Sequence, residues 1–179
     1  MNFLKLDVKI LRFFNQPFSP ALNLIVSVII FSIYGYILAL VYYFYRKGRK
    51  RRILHLIASL LIGLAFVNFL KILVNRERPY AMYEDIKHVL TKADPSFPSA
   101  HSFTALLCFY FLPKEFPRWL KLLLTIYLVF LIPIGSMYIG IHFPSDVLVG
   151  GALGFLFPKV VSESFSVKIF KKIFRLERF

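Results

Sequence analysis

Residues 21–45 carry no charged side chain. This run closes on Tyr42, Tyr43 and Tyr45 and is followed at once by Arg46-Lys47-Gly48-Arg49-Lys50-Arg51-Arg52. Roughly 20 apolar residues in a helix cross the hydrocarbon core of a bilayer, so the run is long enough to span one. Tyrosines at the end of such a helix mark the membrane surface, and a basic cluster directly beyond them places that end on the cytoplasmic side. A helix of this kind constrains everything after it, because the remaining apolar runs must also be helices packed in or against the bilayer.

The composition agrees. Of 179 residues, 58% are hydrophobic and 21 are Phe, while the net charge is +14. The cations collect at the ends of apolar runs and in the terminal segments, with no nucleic-acid motif among them. That patterning predicts contact with anionic lipids on the cytoplasmic face and argues against a nucleic-acid partner. Cys108 is the single cysteine and lies inside an apolar run, which excludes an intrachain disulfide and a thiolate metal site. The first residues mix charged and apolar positions, so no cleavable signal peptide is expected.

The expected architecture is all-α, a polytopic helix bundle forming a single membrane-embedded domain over residues 1–179. Residues 1–20 form an interfacial helix and turn, 21–160 the helical core, and 161–179 a basic amphipathic tail. Five spans are expected, at 21–45, 53–74, 99–112, 122–139 and 145–160. The third is short and can cross only if its first turn lines a cavity. Pro133 and Gly135 should bend the fourth, and Gly150, Gly151 and Gly154 should let the fifth pack closely. Residues 3–14 set Lys5, Lys9 and Arg12 on one face of an interfacial helix, with Asp7 unexplained on its apolar side. Pro17 and Pro20 mark a turn. In the tail, Lys168, Lys171, Lys172 and Arg175 oppose Ile169, Phe170, Ile173 and Phe174. With the basic stretches 46–52 and 114–121 and this tail inside, the polar loop 80–97 and its flanking helix ends fall outside.

Three polar clusters lie at that outer face. Lys71 and Arg78 are seven residues apart, on one helical stripe, and Pro79 follows. Arg offers a planar fork and Lys a point charge to a phosphate, although cations at a helix end also commonly snorkel. The snorkelling reading is favoured for Arg76. Pro98-Ser99-Ala100-His101 opens a helix whose free backbone N–H groups form an anion site, with His101 placed to protonate a leaving oxygen. A capping serine beside a neutral histidine is the plainer reading. In Gly140-Ile141-His142-Phe143-Pro144-Ser145-Asp146, the aspartate follows the histidine by four residues. A carboxylate on one ring nitrogen fixes the tautomer and steadies the imidazolium. An ordinary loop with a polar pair is the alternative. Together the clusters describe phosphoryl transfer, with His142 attacking phosphorus, His101 as acid, and Lys71, Arg78 and the amides holding the charge. No residue cluster suggests a metal or another cofactor.

Lys71-x6-Arg78-Pro79, then Pro98-Ser99-Ala100-His101, then His142-x3-Asp146 resembles the type-2 phosphatidic acid phosphatase superfamily. That superfamily includes membrane lipid phosphate phosphatases and soluble acid phosphatases and vanadium haloperoxidases. The resemblance covers roughly residues 15 to 160. It implies a covalent phosphohistidine on His142 oriented by Asp146, His101 as general acid, and no metal. Phosphate would be held by Lys71, Arg78 and the Ser99–Ala100 helix start. The implied substrate is a lipid phosphomonoester or diphosphate: a polyprenyl diphosphate, phosphatidate, phosphatidylglycerol phosphate or a phosphorylated glycolipid. The implied location is a bacterial or archaeal cytoplasmic membrane, with the site on the extracytoplasmic side. Two positions depart from the family pattern. Ala100 stands where the motif has glycine, which matters only if the backbone there needs positive φ. Ser136, six residues before His142, stands where the family places an arginine, so one phosphate cation is missing and turnover should suffer. Arg76 is the nearest replacement. Ser136 also supports a rival, a non-catalytic membrane protein that binds or transports a phosphorylated lipid.

Overall fold

The computed structural model describes residues 3–16 and 19–174, and every regular element among them is helical. Pro17 and Arg175 fall outside the described residues. Helix α1 (Phe3–Asn15) precedes α2 (Pro20–Arg46), which Ser19 caps by accepting from the Leu22 N–H. Gly48, at φ +67°, turns the basic cluster back into α3 (Lys50–Val74). That helix ends on Asn75 in the left-handed conformation, and Pro79 opens the single turn α4 (Pro79–Met82).

A polar loop then leads to α5 (Ala100–Tyr110). One continuous helix follows, made of α6 (Arg118–Thr125), a π-helical stretch (Ile126–Leu131) and α7 (Ile132–Tyr138). The π stretch comes just before Pro133, which cannot donate to the ladder and crowds the carbonyl a turn earlier. The extra residue per turn absorbs that conflict. The chain closes with α8 (Pro144–Val160) and α9 (Glu163–Phe174), bent by 72° from each other.

Three helices, at 20–46, 50–82 and 118–138, are long and apolar enough to cross a membrane, and α8 with α9 makes a fourth if the bent pair is one span. At eleven residues, α5 is shorter than the hydrocarbon core. Two of the five expected spans lack support from length alone: 145–160, unless α8 and α9 form one bent span, and 99–112, which holds α5. Helix α5 is instead the hub of the bundle. Phe103, Leu107, Cys108 and Phe111 are fully or almost fully buried among α2, α3, α8 and the π stretch. Burying such side chains contributes about 1.5–3 kcal/mol each when the alternative is water, and less against lipid.

The tightest seam joins α5 to α8. A Cβ at Gly150 would fall on the Ser99 carbonyl, and one at Gly154 on the Phe103 carbonyl. Two glycines four apart thus let the backbones touch, as their spacing predicts. Gly151 is different, since a Cβ there would make ordinary contact with Leu106. Helix α1 does not float free. Its Val8 and Leu11 are buried, and Asn15 donates to the carbonyls of Lys87 and Tyr138 while accepting from the Lys87 N–H. An ion pair between Arg49 and Glu115 joins the two basic turns at one end of the bundle. All three motifs lie at the other.

Candidate active site

Three hydrogen bonds gather the motifs. Arg78 Nη1 donates to the Ile141 carbonyl at 2.8 Å, one residue before His142. The Ser99 N–H donates to the Asp146 carbonyl at 3.0 Å. The Ser96 hydroxyl donates to Asp146 Oδ2. Lys71, Arg78, Ser99, His101, His142 and Asp146 are all buried.

His142 Nδ1 faces Asp146 Oδ2 at 3.7 Å, which is an approach and not yet a hydrogen bond. Such contacts commonly shorten once substrate is in place. On the loop between α7 and α8, burial lowers the His142 pKa to about 4. Asp146 opposes that shift, and Arg78 and Lys71 add to it. The ring is therefore neutral at physiological pH and keeps a free lone pair. With Nδ1 turned to the carboxylate, Nε2 is the ring nitrogen on the side away from Asp146.

Asp146 has closer partners than His142. Its Oδ1 accepts from Arg76 Nη1 at 2.6 Å, and its Oδ2 accepts from the Phe143 N–H at 2.9 Å as well as from Ser96. The bond to Phe143 also caps the start of α8. Arg76 corrects two expectations. It does not snorkel, and it is not a spare phosphate cation. Its other arm, Nη2, donates to Asp7 Oδ2 at 2.8 Å, and its guanidinium lies 3.9 Å from the centre of the Phe143 ring. Asp7 in turn accepts from the Ser145 N–H at 2.9 Å and from its hydroxyl at 2.5 Å. The unexplained acid of α1 is thus a buried carboxylate that shares one arginine with Asp146 and anchors the first turn of α8. An acid on the apolar side of an amphipathic helix was the available signal, since a buried charge without a local partner requires a distant one.

His101 lies in the first turn of α5, where the Ser99 hydroxyl accepts from the Ser102 N–H at 3.3 Å. Neither ring nitrogen of His101 has a protein hydrogen-bond partner. Its ring meets Phe31 edge-on at 6.1 Å, and Phe31 is exposed on the lipid-facing side of α2. Ala100 is absent from the positive-φ residues, so alanine replaces glycine there without backbone strain.

The cation pair is already engaged. Lys71 Nζ lies 3.0 Å from Asp94 Oδ2, and Arg78 Nη2 lies 2.8 Å from Asp94 Oδ1. Burial alone would raise the Asp94 pKa, but Lys71 and then Arg78 hold it at about 2. Main-chain carbonyls hold the same cations. Pro95 accepts from Lys71, Asp94 accepts from Arg78 Nε at 2.8 Å, and Ile141 accepts from Arg78 Nη1. Ser136 is not part of this set. It is fully buried and turns its hydroxyl onto the Pro133 carbonyl at 2.7 Å. The cation that bears most on the His101 ring is Lys92, whose main chain is clamped by the Tyr80 hydroxyl. Burial, then Arg78, lowers the Lys92 pKa, against the pull of Asp94. Asp7, Arg76, Lys92, Asp94 and Ser96 all sit near the motifs without any spacing in the sequence that announces them. Among the described residues, no group of three or more His, Cys, Asp or Glu is placed to hold a metal ion.

The chain is similar to known proteins. The family described as PAP2 superfamily matches residues 52–169. A bacitracin transport permease protein, BcrC of Bacillus licheniformis, is 26% identical over 164 residues, covering 87% of this chain and 79% of that protein. The crystal structure of Aquifex aeolicus LpxE superposes with a TM-score of 0.76 at 27% identity, covering 91% of this chain and 95% of the other. The first transmembrane PAP2-type phosphatidylglycerolphosphate phosphatase from Bacillus subtilis gives 0.71 at 25% identity, covering 98% and 88%.

Proposed function

The chain belongs to the PAP2 superfamily, and from that premise we propose that it is a membrane lipid phosphate phosphatase working through a phosphohistidine on His142, without a metal. His142 Nε2 attacks phosphorus. The bond to the lipid oxygen breaks as His101 supplies its proton, and the free lipid alcohol, or lipid monophosphate from a diphosphate, departs. Water then attacks the phosphohistidine, His101 takes up a proton, and inorganic phosphate leaves. Lys71, Arg78 and the N–H groups at the start of α5 hold the charge that builds on the phosphoryl oxygens.

The observation that carries this reading is the joining of a cation pair, a helix start with an unpaired buried histidine, and a neutral histidine facing a carboxylate. The edge contact between His101 and lipid-facing Phe31 supports a substrate whose tail stays in the bilayer. Phosphatidylglycerol phosphate is one substrate of this kind, and the Bacillus subtilis neighbour is named for it. Phosphatidate, polyprenyl diphosphates and phosphorylated glycolipids fit the same chemistry. Purified protein should release phosphate from members of such a panel, and His142→Ala should not. Failure of the wild-type protein on every lipid phosphate would leave the second reading, a binding or transport protein. That reading draws on the BcrC relative, named a transport permease, and on Ser136.

We place the site on the extracytoplasmic side, supported by the basic clusters collected at the other end of the bundle. Cys108 is fully buried and gives little background to thiol labelling. In intact cells, a cysteine replacing Glu84 should react with an impermeant thiol reagent, and one replacing Gly48 should not. The reverse pattern would overturn the orientation. The interfacial helix 1–20, core 21–160 and tail 161–179 are taken as parts of one domain.

A further inference from the structure

Asp94 makes the contacts that a substrate phosphate would have to make. Its two carboxylate oxygens divide between Lys71 Nζ, at 3.0 Å, and Arg78 Nη2, at 2.8 Å. The cations lie buried behind it, whereas the Asp94 side chain is 50% exposed. It borders an open cleft of about 440 Å³ that Arg78 and Lys92 also line, so the side chain has room to swing out. The cations do not depend on it for their position, because the carbonyls of Asp94, Pro95 and Ile141 hold them. An Asp94 side chain that swings away can leave its own carbonyl on Arg78 Nε.

We propose that Asp94 is a specificity-determining residue, a built-in carboxylate competitor for the phosphate seat that only a dianion displaces. The proposal rests on reading Lys71 and Arg78 as the phosphate cations. A single-charged anion exchanges one negative charge for another and gains nothing, whereas a dianion gains a full charge between two buried cations. Phosphomonoesters and terminal diphosphate groups carry that second charge. The phosphodiesters that make up most of a bilayer do not, so Asp94 keeps the site clear of the surrounding lipid. Asp94 stays ionised at any pH above about 4, with Lys71, Arg78 and Lys92 facing it, so it leaves by competition and not by protonation.

The test uses the full chain in detergent at pH 8, with tungstate as a tetrahedral dianion and phosphatidylglycerol as a phosphodiester. Binding is read by calorimetry, without turnover. Asp94→Asn should bind tungstate at least fivefold more tightly than the wild-type protein and should gain measurable competition from phosphatidylglycerol. Asp94→Glu should stay close to wild type. Tungstate affinity that is unchanged or weaker in Asp94→Asn would overturn the proposal, since the carboxylate would then be idle or needed to position the cations. Tungstate that binds neither protein overturns it too. If Asp94→Asn binds tighter but neither protein releases phosphate from lipid phosphates, the phosphatase reading fails and the Asp94 assignment stands. Robust turnover with unmoved tungstate affinity gives the converse.

Discussion

Two carboxylates face the catalytic groups, and they are held in opposite ways. Asp146 is fully buried and receives donors on both oxygens from Arg76, Ser96 and Phe143. Asp94 is half exposed and meets two cations that main-chain carbonyls also hold. The first carboxylate cannot leave without taking a partner from the partly buried Arg76 and from the buried Ser96. The second can leave and strand little. On the proposed reading, the nucleophile side of the site is fixed before substrate arrives, while the phosphate side is held by a group that can be exchanged. Preorganisation belongs where charge develops and orientation matters, and exchangeability belongs where substrate enters.

The largest expected effect lies on the fixed side. His142→Ala should lose at least roughly 10³ of kcat and form no phosphoenzyme, whereas His101→Ala should still trap one from a substrate with a good leaving group. Phosphohistidine trapped in the His142→Ala protein would overturn the assignment. Arg76→Ala strands Asp7 and Asp146 together. Removing one partner of a buried pair costs about 3–5 kcal/mol, so thermal unfolding should show a loss near the lower bound, given that Arg76 is partly exposed. Asp94→Ala, on the exchangeable side, should cost less than about 1 kcal/mol. Equal losses from the two variants would erase the distinction.

The pH profile sharpens it. His142 titrates near 4 in the folded protein, below its ordinary value near 6.5. The neutral form is the proposed nucleophile, so kcat at saturating substrate, which reports the bound complex, should hold to below pH 6 and fall as pH drops through about 4. Because the folded pKa is lowered, His142 also destabilises the fold as pH falls from 6.5 toward 4. Asp94 has the same pH slope, since its folded pKa is also lowered, but its charged form stabilises the fold. Its stabilisation is complete above the ordinary carboxylate pKa and is lost only as pH falls through about 2. An acid limb near 6.5 in kcat at saturating substrate would mean that burial does not control His142. The smallest effect should come from Ser136→Arg. Serine 136 is fully buried and bonded to its own helix, so a guanidinium there should change kcat by less than about tenfold and lower thermal stability. A larger gain in kcat would mean that the position still opens onto the phosphate seat.

Much of this was legible in the sequence. Lys71 and Arg78 lie seven apart, although the expected shared stripe breaks where α3 ends at Val74; His101 stands two residues past a helix cap, and Asp146 follows His142 by four residues. Each relation is local in sequence. The glycine seam at 150 and 154 was legible for the same reason. What escaped is non-local. Asp7 meets Arg76 across 69 residues, and Ser96 meets Asp146 across 50. A loop has no period that says which way its side chains point, so Lys92, Asp94 and Ser96 read only as a polar connection. The shortness of the 99–112 run was legible, but its place as the buried hub of the bundle was not.

Asp7 also sets the order in which the protein can come to life during synthesis. Its hydrogen bonds to Ser145 join residues 138 positions apart. A ribosome releases Asp7 long before it releases Ser145, and three long apolar helices must enter the bilayer in between. Until α8 emerges, Asp7 has only Arg76 to meet, and His142 has no carboxylate to face. The nascent chain therefore passes through the membrane as an unarmed bundle, and its chemistry switches on only when the earliest and the latest of these segments meet.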